Sequence, residues 1–98
     1  MATLNPRQIK HRLLSVPAWL KRGRAIRRRF EFKGFLDAID FVNRVARKAE
    51  KSDHHPDIDI RWNKVTLSLS THSEGGLTKK DFAMAETCDT VFAKHFDS

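Results

Sequence analysis

The chain has 98 residues, of which 40% are hydrophobic and 9% aromatic. It is too apolar for a disordered chain, and we expect one domain over residues 1–98. The one cysteine, Cys88, excludes an internal disulfide and so a stapled secreted scaffold. No apolar run approaches the ~20 residues of a transmembrane helix, and no signal-peptide pattern begins the chain, so the sequence predicts a cytoplasmic protein.

Positive charge is concentrated in the first half of the chain. The formal net charge is +7, and six of the nine residues from 21 to 29 are Lys or Arg. Such a stretch can bind phosphates or an acidic protein surface, or it can be a solvated face without a partner. Because it contains no aromatic residue and no nucleic-acid-binding motif accompanies it, we do not expect nucleic acid as a partner.

The chain begins with a predicted helix and a short strand. Asn5 can cap a helix over residues 5–16, which Pro17 ends. A strand that begins at Trp19 follows and turns at Gly23.

The next two elements have clear apolar periodicity. Residues 25–32 alternate, which predicts a strand, although Arg28 falls on its core-facing side, where Glu31 or Glu50 could pair with it. After Gly34, apolar residues recur at three- and four-residue spacing through Glu50, which predicts a long amphipathic helix. The predicted inner face of this helix comprises Phe35, Ala38, Ile39, Val42, Val45, Ala46 and Ala49.

A second hairpin and a last helix complete the predicted fold. Residues 58–62 and 65–70 alternate on either side of a turn at Asn63 and Lys64, and Thr78 caps the last helix. The order α-β-β-α-β-β-α predicts an α+β domain with three helices packed on one face of a four-stranded antiparallel sheet.

Three histidines lie at predicted element boundaries. His54 and His55 follow the long helix, and His72 ends the last strand. The predicted hairpin turn places residues 55 and 72 opposite each other, so the three imidazoles meet at one edge of the sheet. Imidazole titrates near neutral pH, so this cluster suits general acid–base chemistry.

Other candidate residues have two interpretations each. Asp81 lies on the inner stripe of the last helix, where it can orient an imidazole or serve only in a capping box with Thr78. Trp62 shares the parity of Ile58 and Ile60, so it is either a core residue or a platform for a substrate. Each histidine can also be a helix-capping or surface residue.

A metal site is not expected. The histidines could combine with Asp53, Asp57 or Asp81, but adjacent histidines do not easily ligate one ion from an extended backbone. The sequence also has no His-x3-His or Cys-x2-Cys spacing.

The spacing of these residues resembles that of the pterin-4a-carbinolamine dehydratase family, and the similarity extends over residues 13–95. The family pattern reads here as Glu50, His54-His55-Pro56, Trp62, His72 and Asp81. The resemblance implies an α+β fold and the dehydration of 4a-hydroxytetrahydropterin to the quinonoid dihydropterin. This reaction recycles the pterin cofactor of aromatic amino acid hydroxylases. The pterin is then the substrate, and no cofactor is implied.

The resemblance also implies roles for individual residues. His54 and His72 share the acid–base work, and His55 holds the pterin ring. The residues implied in substrate binding are Asp81, Glu50, Trp62 and Pro56.

Partners follow from the same resemblance. Family members form dimers or tetramers, so a homodimer or homotetramer is implied. Some relatives resemble RuBisCO assembly chaperones or dimerisation cofactors of a transcription factor. The alternative to an enzyme is therefore a non-catalytic binding module that uses the basic residues 21–29.

Overall fold

Two hairpins and three helices make up the fold. The computed structural model describes residues 3–96. In chain order, the elements are α1 (Pro6–Leu13), β1 (Leu20–Arg22), β2 (Ala25–Glu31), α2 (Phe35–Ser52), β3 (Asp57–Arg61), β4 (Lys64–Leu69), a 3-10 turn (His72–Glu74) and α3 (Lys79–His95). The predicted α+β class and element order are confirmed. Within residues 3–96, no helix has the length and apolar character that crossing a bilayer requires.

The four strands form one antiparallel sheet in the order β1-β2-β4-β3. The two central strands pair through Ile26 with Leu69 and Phe30 with Val65, and all four of these side chains are buried. Side chains alternate along a strand, so the intervening Arg27 and Arg29 side chains lie on the opposite face and are exposed. The helices thus cover one face of the sheet and leave the other face open.

The core is rich in aromatic side chains. Phe30, Phe41 and Phe92 contact one another, with ring centroids 4.7, 5.2 and 6.1 Å apart. The buried face of α2 is narrower than the periodicity predicts, since Phe35 and Ala46 are exposed. The helix buries the predicted Ala38, Val45 and Ala49, together with Phe41, which the predicted inner face lacks.

The partner predicted for Arg28 is wrong. Its Nη1 donates to Asp89 Oδ1 of α3 at 2.7 Å, and the buried Trp19 donates its Nε1–H to the same oxygen at 2.8 Å. Glu31 cannot replace Asp89, because its parity places it on the open face of the sheet, and Glu50 is bonded to His55. Asp89 therefore ties α3 to the first hairpin.

The second hairpin turns one residue earlier than predicted. Lys64 pairs with Arg61, so the turn consists of Trp62 and Asn63, with Trp62 in the left-handed region at φ 54°. Asn63 is buried and donates its side-chain N–H to the Phe32 carbonyl at 2.8 Å, which attaches the turn to the end of β2. This changes the register by two residues, so the ladder directs residue 55 toward residue 70 and leaves His72 beyond the paired strands.

Candidate active site

The candidate site lies where α2 ends and α3 begins. Asp53 takes a left-handed conformation, with φ 52° and ψ 42°, and ends α2. The next two residues, His54 and His55, then lead through the half-buried Pro56 into β3. His72 lies in the 3-10 turn that follows β4, and Asp81 lies in the first turn of α3.

His54 and Asp81 form the most buried polar pair of the site. His54 Nε2 lies 2.6 Å from Asp81 Oδ1, and the two side chains are 11% and 0% exposed. An ionised carboxylate can only accept hydrogen bonds, so Nε2 carries the proton. His54 Nδ1 is left available for a ligand, which is the arrangement of an imidazole oriented by a carboxylate.

Asp81 serves both of the roles that the sequence left open. Its Oδ2 accepts the backbone N–H of Thr78 at 2.9 Å, which completes the capping box of α3. Its Oδ1 is bound by His54. The helix cap therefore holds the carboxylate in the position from which it contacts the imidazole.

His55 has a carboxylate partner of its own. Its Nε2 lies 2.5 Å from Glu50 Oε2, and both side chains are exposed. Adjacent residues of an extended segment point to opposite sides, which explains why His54 is directed to α3 while His55 is directed to the last turns of α2.

His72 is not joined to the other two histidines. It lies in the exposed 3-10 turn, and its side chain makes no hydrogen bond to any residue between 3 and 96. It lines a depression of about 370 Å³ with Arg24, Asp57 and Ser70, among others. His54 instead lines a smaller depression of about 150 Å³. The three imidazoles therefore have separate surroundings. His54 contacts Asp81, His55 contacts Glu50, and His72 directly follows Thr71, which contacts Asp81.

Trp62 is neither buried nor close to the histidines of its own chain. It is 66% exposed, so the interpretation as a core residue is wrong. Seven residue steps of extended chain separate Trp62 from His55, which is about 23 Å at ~3.3 Å per residue. Ile58 and Ile60 of the edge strand β3 share its parity and are exposed as well.

Sequence reasoning missed Thr71 as part of the site. The Thr71 hydroxyl donates to Asp81 Oδ2 at 2.8 Å, and the residue is buried. The sequence contained a pattern that indicates this residue, since Thr71 continues the core-facing parity of Leu67 and Leu69. A polar residue at an inward-facing position needs a buried partner.

Cys88 does not supply a nucleophile. Its side chain is buried. Burial, and secondarily the charge of Asp89, raises the pKa of the Cys88 thiol to about 12, against a smaller opposite effect of Arg28. Because the thiolate is the reactive form of cysteine, Cys88 is unsuited to act as a nucleophile.

Sequence comparison identifies relatives of this chain. The family described as pterin 4 alpha carbinolamine dehydratase matches residues 2–91. A protein of Mycobacteroides abscessus that is provisionally named a pterin-4-alpha-carbinolamine dehydratase is 57% identical, covering 96% of this chain and 100% of its own length. A Picosynechococcus protein with the same provisional name is 53% identical and covers 93% of this chain and 100% of its own.

Solved structures share the fold as well. A transcriptional coactivator/pterin dehydratase from Brucella melitensis superposes with a TM-score of 0.87 at 36% identity, covering 91% of this chain and 97% of its own. A pterin dehydratase-like protein that is a RuBisCO assembly factor in the alpha-carboxysome has the same fold, with a TM-score of 0.65 at 22% identity over 76% of this chain and 88% of its own. The sequence match over nearly the whole chain shows that this chain belongs to the pterin-4a-carbinolamine dehydratase family.

Proposed function

We propose that this chain dehydrates 4a-hydroxytetrahydropterin to the quinonoid dihydropterin by histidine general acid–base catalysis. The observation that carries the proposal is the contact between His54 and the fully buried Asp81, at 2.6 Å, in a chain of this family. A carboxylate that holds one imidazole nitrogen leaves the other nitrogen to exchange a proton with a substrate.

The reaction requires two proton transfers and no change of oxidation state. The C4a–O bond breaks, and the hydroxyl leaves as water after taking a proton from an acid. A base removes the proton from N5, and a C4a–N5 double bond forms. Acid–base groups of this kind contribute roughly 10²–10⁴-fold each to a rate.

The proposal assigns these steps to the histidines. His54 and His72 share the roles of acid and base, and His54 acts through Nδ1, since Nε2–H is bonded to Asp81. His55, oriented by Glu50, holds the pterin ring. The product, once reduced again, would serve as the cofactor of aromatic amino acid hydroxylases, so the reaction would recycle that pterin.

The proposal includes a homodimer or homotetramer. All five residues of the edge strand β3 are exposed, including Ile58 and Ile60. Leu36 on α2 is also exposed. An edge strand with unpaired backbone groups and apolar side chains is suited to self-association. Analytical ultracentrifugation of the wild type tests this part, and a monomer at all concentrations would contradict it.

The enzymatic proposal is tested with 4a-hydroxytetrahydropterin generated in place by an aromatic amino acid hydroxylase. We expect the wild type to accelerate dehydration, and His54→Ala and His72→Ala to lose about 10²-fold or more of that acceleration. His11→Ala is the matched control, because His11 is exposed on α1 and makes no side-chain hydrogen bond within residues 3–96. A wild type no faster than buffer would refute the proposal.

A protein-binding role of the open sheet face is the second candidate function. Arg27 and Arg29 are exposed on this face, and neither forms an ion pair within residues 3–96. Arg28, although part of the same basic run, is bonded to Asp89 on the covered side. An acidic protein surface is the partner that such a face would suit.

The two candidates are separated by charge reversal. We expect Arg27→Glu with Arg29→Glu to abolish capture of a specific partner from the native host while leaving dehydratase activity intact. Arg47→Glu, a reversal on the exposed side of α2, is the matched control. Absence of any partner for the wild type, at low and high salt, would contradict the binding role.

A further inference from the structure

The Asp81 carboxylate is held by a chain of buried hydroxyl groups. Thr71 Oγ1 donates to Asp81 Oδ2 at 2.8 Å, and Thr71 Oγ1 itself lies 2.8 Å from Thr78 Oγ1. Both threonines and Asp81 are buried. Within residues 3–96, His54 is the only cationic or potentially cationic side chain paired with Asp81.

The donor and acceptor of each of these hydrogen bonds follow from elementary bonding rules. An ionised carboxylate has no hydrogen to donate, so the single hydroxyl hydrogen of Thr71 points to Asp81. The Thr71 oxygen must then accept from the Thr78 hydroxyl, whose oxygen accepts the backbone N–H of Lys80 at 3.2 Å. Both threonine hydroxyls therefore donate in the direction of the carboxylate.

The consequence for His54 is a single orientation and tautomer. Thr71 and the Thr78 backbone both bind Oδ2, which leaves Oδ1 directed at His54 Nε2. Without the Thr71 donor, Oδ2 is held by the Thr78 backbone N–H alone, and the carboxylate can rotate away from His54. An imidazole that no longer faces a carboxylate oxygen is not restricted to the Nε2–H form.

We propose that Thr71 is a positioning residue of the site. Through Asp81 it keeps His54 in the Nε2–H form, with Nδ1 presented for proton transfer. The effect of Thr71 on catalysis rests on the dehydratase function proposed above. Thr71 touches no reacting atom in this assignment, because its hydroxyl is committed to Asp81.

Thr71 can be tested more cleanly than Thr78. Thr78 caps α3 through both its side chain and its backbone, so its replacement would disturb the start of the helix. The Thr71 side chain caps no helix. Its backbone forms the bridge to Gly76, which substitution of the side chain leaves in place.

The experiment compares Thr71→Val, which removes the hydroxyl at nearly constant volume, with Thr71→Ser, which retains it. Thr71→Ala makes the same removal without a steric demand, in case the valine variant folds poorly. Thr66→Val is the matched control, since Thr66 lies in β4, the strand that precedes Thr71, is half-buried and makes no side-chain hydrogen bond within residues 3–96.

We expect Thr71→Val and Thr71→Ala to lower kcat by about tenfold or more while KM changes less than about twofold, as for loss of a hydrogen bond to a charged group. Thr71→Ser and Thr66→Val should retain the wild-type kcat. A raised KM with unchanged kcat would overturn the proposal, because it would make Thr71 a substrate-binding residue.

A second readout does not depend on activity. In protein labelled with ¹⁵N-histidine, the His54 signals are assigned by their loss in His54→Ala. We expect the Nε2–H tautomer in the wild type and in Thr71→Ser, and mixed tautomers in Thr71→Val and Thr71→Ala. If the wild type has no dehydratase activity, the proposed function fails, and this spectrum still decides the positioning role. An unchanged Nε2–H tautomer in Thr71→Val and Thr71→Ala would overturn it.

Discussion

Asp89 is expected to be a principal polar contributor to the stability of this fold. Its Oδ1 accepts from Trp19 Nε1 at 2.8 Å and from Arg28 Nη1 at 2.7 Å. Trp19 is only 2% exposed, so its buried N–H loses its partner when Asp89 is replaced by alanine. The Arg28 guanidinium lies 4.2 Å from the centroid of the Phe30 ring and would lose its counter-charge.

The magnitude follows from these contacts. An unsatisfied buried donor costs about 1–3 kcal/mol, and loss of a partly exposed ion pair adds about 1 kcal/mol. Asp89→Ala should therefore lower the free energy of unfolding by about 3 kcal/mol. Asp89→Asn retains an oxygen for Trp19 and should cost about 1 kcal/mol. In a chain of this size, 3 kcal/mol corresponds to a fall in Tm of about 15 °C.

Urea unfolding followed by circular dichroism measures these differences without relying on the fluorescence of Trp19. Asp40→Ala is the matched control, since it breaks an exposed pair of Asp40 with Arg44 on α2 and should cost less than about 0.5 kcal/mol. The reasoning is refuted if Asp89→Ala costs no more than Asp40→Ala, or if Asp89→Asn costs as much as Asp89→Ala.

Two further predictions concern the buried thiol and the hairpin turn. The pKa of Cys88, raised to about 12 chiefly by burial, predicts negligible reaction with iodoacetamide at pH 8 in the native protein and rapid reaction in urea; equally fast labelling in both would contradict it. The same raised pKa means that stability present below pH ~9 declines as the pH rises toward 12, and Cys88→Ala should lessen that decline. Trp62→Asn should raise Tm by a few degrees in thermal unfolding, because Asn adopts the left-handed φ of 54° at lower cost than Trp. A lower Tm would contradict this, since it would show that the exposed ring stabilises the fold by more than the backbone strain costs.

The sequence contained enough local information to predict the secondary structure. Capping residues mark the starts of α1 and α3, and apolar periodicity distinguishes strand from helix, because both are properties of neighbouring residues. The end of α1 was predicted less well, since the helix ends at Leu13 and not next to Pro17. The alternation in residues 25–32 and the helical spacing after Gly34 were sufficient to predict β2 and α2. The same periodicity could not show how wide a stripe α2 buries, since that width depends on α3 and the sheet.

The site was predictable in composition and less so in geometry. The spacing of His54, His55, His72 and Asp81 pointed to one region and to one family, and the family is confirmed. The roles of these residues remain predictions. The predicted pairing of residues 55 and 72 across the second hairpin is wrong, because the turn lies one residue earlier. Asn63 holds the turn there through its bond to the Phe32 carbonyl, a contact between distant parts of the chain.

The sequence by itself determined the helices and strands, the buried faces of β2 and β4, and family membership, because these follow from local chemistry and from residue spacing. Only the tertiary structure decided that Arg28 pairs with Asp89, that Trp62 is exposed, and that Thr71 holds Asp81 against His54. Each of these depends on which side chains from distant segments meet. A buried charge or hydroxyl must find a partner, but packing decides which of several candidates is within reach.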